Sequence, residues 1–163
     1  MVATSAESGR SGTQAGKNRQ IVESSVNCIF ISEAMRLFPA TVTPEALNML
    51  SRNTMAEQIG IEFTAVGADY LEAKMPVDSR TQQPFGMLHG GASVALAETM
   101  GSVAATCCVD TGRQFCVGLD INANHVRSVR NGFVKGITKP LHIGKKTQVW
   151  EIRILNEADE LVC

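Results

Sequence analysis

The chain has almost no net charge. Fifteen Lys and Arg stand against 16 Asp and Glu in 163 residues, a formal charge of -1. Bulk electrostatics therefore argue against a polyanionic partner such as nucleic acid. No apolar run is long enough to cross a bilayer. There are only three histidines and no CxxC, so a structural zinc site is not expected and no metal is assigned to the chemistry. The five cysteines are odd in number, and Cys107 and Cys108 are adjacent. That suits small buried thiols better than a disulfide framework and implies a reducing, intracellular, cytoplasmic setting. A GxSxG nucleophile elbow and a Gly-rich phosphate loop are also missing.

What is present is enough for one domain with a real core: 44% of the residues are hydrophobic and 19% charged. Residues 1–20 are polar and rich in Gly and Ser, and read as a disordered tail. Residues 21–42 form an extension of uncertain structure, with a weak helical lean up to Pro39. In "TVTPEALNML", Thr43 can cap, Pro44 suits the first helical position and Glu45 complements the dipole. This predicts a helix from Pro44 to about Arg52. "IGIEFTAVG" and "YLEAKMPV" read as strands joined at Gly67-Ala68-Asp69. Leu71, Ala73 and Met75 alternate with Glu72 and Lys74, the period of a strand with one wet face. "DSRTQQPFGMLHGG" has no period and reads as a loop. A helix follows from about Gly91 to Val109, apolar on nearly every face and so expected to be buried all round. "QFCVGLDINANHVRS", "GFVKGITKPLHIG" and "KKTQVWEIRILNE" are strand-like. The whole is an α+β domain, an antiparallel sheet packed on one central helix.

One residue contradicts this greasy helix. Glu98 sits between Ala95-Leu96-Ala97 and Thr99-Met100-Gly101, and a buried carboxylate is expensive unless it is paired, protonated or used. Ser102 lies four residues on and shares its face. His89 and Gly90 stand where the loop becomes the helix, where free backbone N–H groups and the helix dipole favour developing negative charge. An oxyanion site with a carboxylate two turns deeper suits acyl transfer or hydrolysis. The bland alternative pairs Glu98 with a basic group at a subunit contact and leaves His89 as a loop residue. Arg127, Arg130, Lys135, Lys139, Lys145 and Lys146 make the second half locally basic. Most suit solvated strand faces, and two or three could grip phosphates.

The segments "MPVDSRTQQPFGMLHGGASVALAETMGS", "VGLDINANHVRS" and "KPLHIGKKTQVW" together resemble the hotdog-fold acyl-CoA thioesterases of the PaaI-like superfamily. The pattern is most similar to bacterial 1,4-dihydroxy-2-naphthoyl-CoA hydrolases of menaquinone synthesis and 4-hydroxybenzoyl-CoA thioesterases, and covers residues 43–163. The resemblance implies a curved antiparallel sheet wrapped round one long helix, a homodimer joined edge to edge, often a dimer of dimers, and active sites at the dimer interface. It implies that Glu98 attacks the thioester or activates water, and that the Gly90 N–H polarises the carbonyl. Gln83 and His89 match a polar pair beside the reacting group, and Ser102 a hydroxyl near the attacking water. His125 and Arg127 match cleft positions near coenzyme A, and Thr99 stands where relatives often carry Ser. Arg130, Lys139 and Lys145 are further candidates for the nucleotide phosphates. Coenzyme A enters as part of the substrate, and no separate cofactor is implied.

The same resemblance leaves the acyl group open between an aromatic acid and a medium-chain or phenylacetyl-type acid. It also leaves open an inactive acyl-CoA-binding homologue. The family pattern continues past "ELVC" with a strand interior to the sheet, and this chain stops as that strand begins. Either the sequence is truncated or the N-terminal segment supplies a substitute. Residues 26–31, "VNCIFI", have the β character to do so.

Overall fold

A computed structural model of the protein describes residues 1–7 and 36–163. Strand β1 (Val2–Glu7) is followed by helices α1 (Pro44–Leu50) and α2 (Met55–Gln58). Strands β2 (Glu62–Val66) and β3 (Leu71–Pro76) come next, then the short pair β4 (Gln82–Gln83) and β5 (Met87–Leu88). Helix α3 (Gly90–Cys107) leads to β6 (Gln114–Asp120), β7 (Phe133–Ile143) and β8 (Thr147–Leu155). The six main strands form one antiparallel sheet in the order β2-β3-β7-β8-β1-β6. This sheet curves over α3, which is the hotdog architecture.

Local chemistry explains most of these elements. Thr43 Oγ1 accepts from the Ala46 N–H at 3.2 Å, and Pro44 opens α1. The helix closes at Leu50, two residues before the expected end, where the Ser51 N–H caps the Leu47 carbonyl. In β3, Leu71, Ala73 and Met75 are fully buried and alternate with half-buried Glu72 and Lys74. Pro140 cannot donate to a ladder, and it lies beyond the reach of β3, beside an irregularity in the β7–β8 register. Buried Trp150 donates through Nε1 to Gln148 Oε1 at 3.1 Å. Gln148 Nε2 in turn donates to the Ala105 carbonyl at 3.2 Å, so both polar groups are satisfied inside the core. Phe38 stacks on Trp150 with ring centroids 6.4 Å apart.

Four sequence expectations need revision. Val2–Glu7, read as part of a disordered tail, forms an interior strand. Its Cα register runs Val2–Val149 to Thr4–Thr147 on β8 and Ala3–Gly118 to Glu7–Gln114 on β6. Its small and polar residues concealed it: Ala3 is fully buried and Met1 packs on Gly101 of α3. Strand β1 stands in line with the chain end, where the Val162 N–H donates to the Ile154 carbonyl and the Ile154 N–H to the Cys163 carbonyl. The interior place that "ELVC" begins is thus taken by residues 1–7 along the Thr147–Trp150 end of β8. The substitute suggested at residues 26–31 lies outside the described residues.

The loop expected over 78–91 contains β4 and β5, paired through Gln82–Leu88 and Gln83–Met87. Strand β6 stops at Asp120, and residues 121–132 run on irregularly. There the Val126 and Arg127 N–H groups turn away from any sheet ladder to the Val162 carbonyl. Lastly, α3 is not buried all round. Leu96, Met100, Gly101, Ala104 and Ala105 face the sheet, whereas Val94, Ala95, Glu98, Thr99, Ser102, Val103 and Thr106 form a half-buried stripe on the other side. Ubiquitous small residues hid this asymmetry, since alanine is at home on either face.

Opposite faces of β1 should respond differently to charge. Ala3→Asp places an unpaired carboxylate in the core and should cost about 3–5 kcal/mol. Thr4→Asp, whose side chain reaches the exposed side, should cost about 1 kcal/mol or less. Urea unfolding midpoints of the two variants measure the difference.

Candidate active site

The candidate residues fall into three groups along α3 and its surroundings. At the start of the helix, His89 is the N-cap, and its Nδ1 accepts the Gly91 N–H at 2.8 Å. The Gly90 N–H carries no hydrogen bond among the described residues and is the free donor of the first turn. The imidazole of His125 lies against Gly90; a Cβ at that position would come within 2.9 Å of His125 Nε2. Gln83, Gly90, Ser93, His125 and Arg127 line one cleft of about 380 Å³. The chain thus brings Gln83 from β4, Gly90 from α3 and the 125–127 segment together around a single helix start.

Glu98 lies elsewhere. Its carboxylate rests on Gly118 of β6, so closely that any Cβ at 118 would collide with it. Eight residues separate Gly90 from Glu98, about 12 Å along a helix. The two groups of one chain thus fall in different surroundings, the helix-start cleft for Gly90 and Gly118 of β6 for Glu98. Ser102 and Thr99 share the half-buried stripe with Glu98 and border apolar hollows beneath α1 and α2. Gly118 was missed in the sequence, although a glycine inside an alternating strand signals a close approach. The α1 side chains Leu47 and Leu50, which wall those hollows, gave no chemical signal at all.

The basic candidates divide. Arg127 Nη1 is 3.5 Å from Glu160 Oε1, and its Nε donates to the Leu161 carbonyl at 3.3 Å. Arg130 Nη1 donates to the Phe85 carbonyl at 3.1 Å, on the same side of the molecule as the cleft. Lys139 stands six residues along β7 from Phe133, which is beside the cleft loop, and so roughly 20 Å away. It contacts Asp69 at 3.8 Å and lies over the Tyr70 ring at 5.8 Å. Lys145 is exposed in the β7–β8 turn, farther still. Within one chain, Arg127 and Arg130 flank the helix-start cleft, and Lys139 and Lys145 do not.

Among the described residues strand β6 pairs with β1 alone, which leaves its second edge unpaired there. Phe115, Val117 and Leu119 form an exposed apolar row along it. An unpaired edge with an apolar row is a template for another strand. Among the described residues no group of three or more His, Cys, Asp or Glu could hold a metal ion, and no helix is long and apolar enough to cross a membrane.

The thiols are poor nucleophiles. Burial pushes Cys107 up to about 11. Burial, with the neighbouring thiols Cys107 and Cys116, pushes Cys108 up to about 12. Alkylation of the folded protein by iodoacetamide should therefore be slow at pH 8 and rise about tenfold per pH unit towards pH 11. In the urea-unfolded chain the same thiols should reach half their plateau rate near pH ~8.5. Mass spectrometry of modified peptides reads both profiles.

Comparison with known proteins agrees with this architecture. Residues 85–163 match the thioesterase superfamily. The chain is 57% identical over 122 residues to the 1,4-dihydroxy-2-naphthoyl-CoA hydrolase of Escherichia coli K12, covering 75% of this chain and 89% of that protein. It is 52% identical to a proofreading thioesterase of Cronobacter turicensis, over 75% of this chain and 88% of the relative. Among solved structures, a thioesterase from Haemophilus influenzae superposes with a TM-score of 0.74 at 52% identity, covering 77% and 87% of the two chains. A mutant thioesterase from Pseudomonas aeruginosa gives 0.75 at 46% identity, over 77% and 91%. A half-barrel sheet curved over one helix, a free helix-start donor and a carboxylate on that helix's open stripe accompany these identities: the chain belongs to the hotdog-fold thioesterase superfamily.

Proposed function

We propose that the protein hydrolyses an aromatic acyl-CoA thioester to the free acid and coenzyme A, in a cleft built from two copies of the chain. The observation that carries this reading is the separation of Gly90 from Glu98. Both groups suit one reaction, yet they stand about 12 Å apart on one helix. A two-fold pairing through the free edge of β6 would bring the Glu98 stripe of one copy towards the helix start of the other, and would cover Phe115, Val117 and Leu119. The aromatic class rests on the likeness to the 1,4-dihydroxy-2-naphthoyl-CoA hydrolase.

In this reading the thioester oxygen lies on the Gly90 N–H, which stabilises the charge it gains. The Glu98 carboxylate of the other copy either takes a proton from the attacking water or itself attacks the carbonyl carbon. In the first route, water oxygen bonds to carbon, the C–S bond breaks, and the thiolate leaves and is protonated. In the second, a mixed anhydride forms with loss of the thiolate, and water then releases the acid. Gln83 and His89 orient the acyl group, and Ser102 and Thr99 hold hydroxyls beside the carboxylate. His125, Arg127 and Arg130 receive the coenzyme. Lys139 and Lys145 reach phosphates only if the second copy carries them there.

Glu98→Gln keeps the shape and removes the charge, so thiol release should fall by ~10²-fold or more while acyl-CoA binding persists. Parent-level turnover by this variant would make Glu98 structural and sink the proposal. Gly118→Ala, which drives a methyl group into the carboxylate, should also reduce turnover with little change in coenzyme A binding. Refolding Glu98→Gln together with Gln83→Ala tests the shared cleft. Each variant alone should be weak, whereas the mixture should regain roughly a quarter of the parent sites, because half the dimers are mixed and each repairs one site. No recovery in a mixture shown to contain heterodimers would place both groups in one chain.

A further inference from the structure

The short pair β4–β5 stands apart from the main sheet, as a two-stranded sheet of its own. It consists of two residue pairs, Gln82–Leu88 and Gln83–Met87, and a ribbon that short is marginal at best by itself. Yet it carries Gln83 into the helix-start cleft. Its fastening to the body of the protein therefore decides how well Gln83 is placed. The Leu88 N–H donates to the Val129 carbonyl at 2.8 Å. Two further ties to the same stretch meet at Arg130. Gln82 Nε2 donates to the Arg130 carbonyl at 2.7 Å, and Arg130 Nη1 donates to the Phe85 carbonyl at 3.1 Å. The stretch is itself well seated, because Val129 packs against the core and the Gly132 carbonyl accepts the Val77 N–H at 2.9 Å.

Phe85 links these ties to the reacting side. Its carbonyl is held by Arg130, and its N–H donates to Gln83 Oε1 at 2.6 Å. A backbone N–H can only donate, so the amide atom that faces it is the oxygen. The way the Gln83 amide points thus depends on where the Phe85 backbone sits, and that depends on Arg130. Resting on the thioesterase reading above, we propose that Arg130 is a positioning residue. Its side chain and its carbonyl clasp the β4–β5 hairpin, and through Phe85 they fix the amide of Gln83 in the cleft. A guanidinium has five N–H donors, so one can hold the Phe85 carbonyl while others meet a phosphate of the coenzyme. Both Arg130 ties are exposed, and each is weak by itself. Their effect is on geometry: a misplacement of about 1 Å can cost ~10²-fold in rate. Gln82 belongs to the same clasp, although it is uncharged and is not among the residues that line the cleft.

Arg130→Ala and Gln82→Met each open one tie. The ties are exposed, so thermal unfolding of both variants should stay within a few degrees of the parent. Thiol release is compared for naphthoyl-CoA and for naphthoyl-pantetheine, which lacks the nucleotide and every phosphate. Both variants should lower kcat by ~5–10-fold with either ester, the loss of a displaced positioning group. In a Gln83→Ala background neither substitution should lower kcat further by more than about twofold, because the group they position is gone. A loss confined to the KM of naphthoyl-CoA would make Arg130 a phosphate contact alone. Full additivity with Gln83→Ala would place its effect outside this clasp. Either result overturns the proposal. Amide hydrogen exchange supplies a readout without turnover. Amides of residues 85–88 should exchange ~5-fold faster or more in both variants, while those of α3 keep the parent rate. Unchanged exchange at 85–88 would also overturn the clasp. Absence of thiol release by the parent would overturn the hydrolytic reading, and the exchange rates would still decide the clasp.

Discussion

Helix α3 packs against β1, β3, β6, β7 and β8, and it comes so near because side chains are missing at particular points. A Cβ at Gly136 of β7 would strike the Met100 sulfur, one at Gly101 of α3 would strike Met1, and one at Gly118 of β6 would strike Glu98. The helix has a sealed side towards the sheet and a half-buried stripe away from its core face. It also fixes the direction of the carboxylate, which has β6 beneath it and the free edge of the sheet beside it. Dispersion and burial hold the sealed side, where Leu96, Met100 and Ala104 meet Trp150, Ile154 and Val134 in one cluster. Among the described residues the open stripe is only half-buried, and the candidate carboxylate Glu98 lies on it.

The interior of the sheet depends on an economy of a different kind. Between β8 and β6 one strand position must be filled, or two rows of backbone donors and acceptors lie unpaired. Leu161–Cys163 pairs the Ile154 end of β8, and residues 1–7 pair its Thr147–Trp150 end, with the Met1 carbonyl accepting the Trp150 N–H at 2.8 Å. Segments 150 residues apart thus share one line of the sheet. Among the described residues β6 is the sheet edge next to this line, and it carries the exposed apolar row Phe115, Val117 and Leu119. The same arrangement that completes the core leaves one side of the molecule unfinished.

Much of this was legible from local chemistry. The Thr43-Pro44-Glu45 start of α1, the alternation in β3, the extent of α3 and the runs of β7 and β8 all follow from capping, periodicity and turn residues. Such signals act over a few residues, so the sequence displays them directly. Candidate residues were legible for a related reason: a carboxylate among alanines and a His-Gly-Gly at a helix start are chemically conspicuous wherever they fold. The sequence failed where an element's identity depends on a distant partner. Val2–Glu7 is a strand only because β6 and β8 offer a vacant place. Residues 121–132 leave the sheet because Val162 captures the Val126 N–H.

By itself, then, the sequence determined the fold class, the placement of α3 and the residue types of the candidate site, because these rest on local periodicity and on chemistry that stays with the residue. Only the tertiary structure decided which of those residues meet. It gathered Gln83, Gly90, His125 and Arg127 at one end of α3, turned Glu98 onto Gly118, and left Lys139 and Lys145 far from the cleft. Helical rise explains the division. Residues that read as neighbours in one motif are carried about 12 Å apart by two turns of helix, while residues dozens of positions apart are brought to one helix start by loop segments held by backbone hydrogen bonds, His89 to Thr81 and Val126 and Arg127 to Val162.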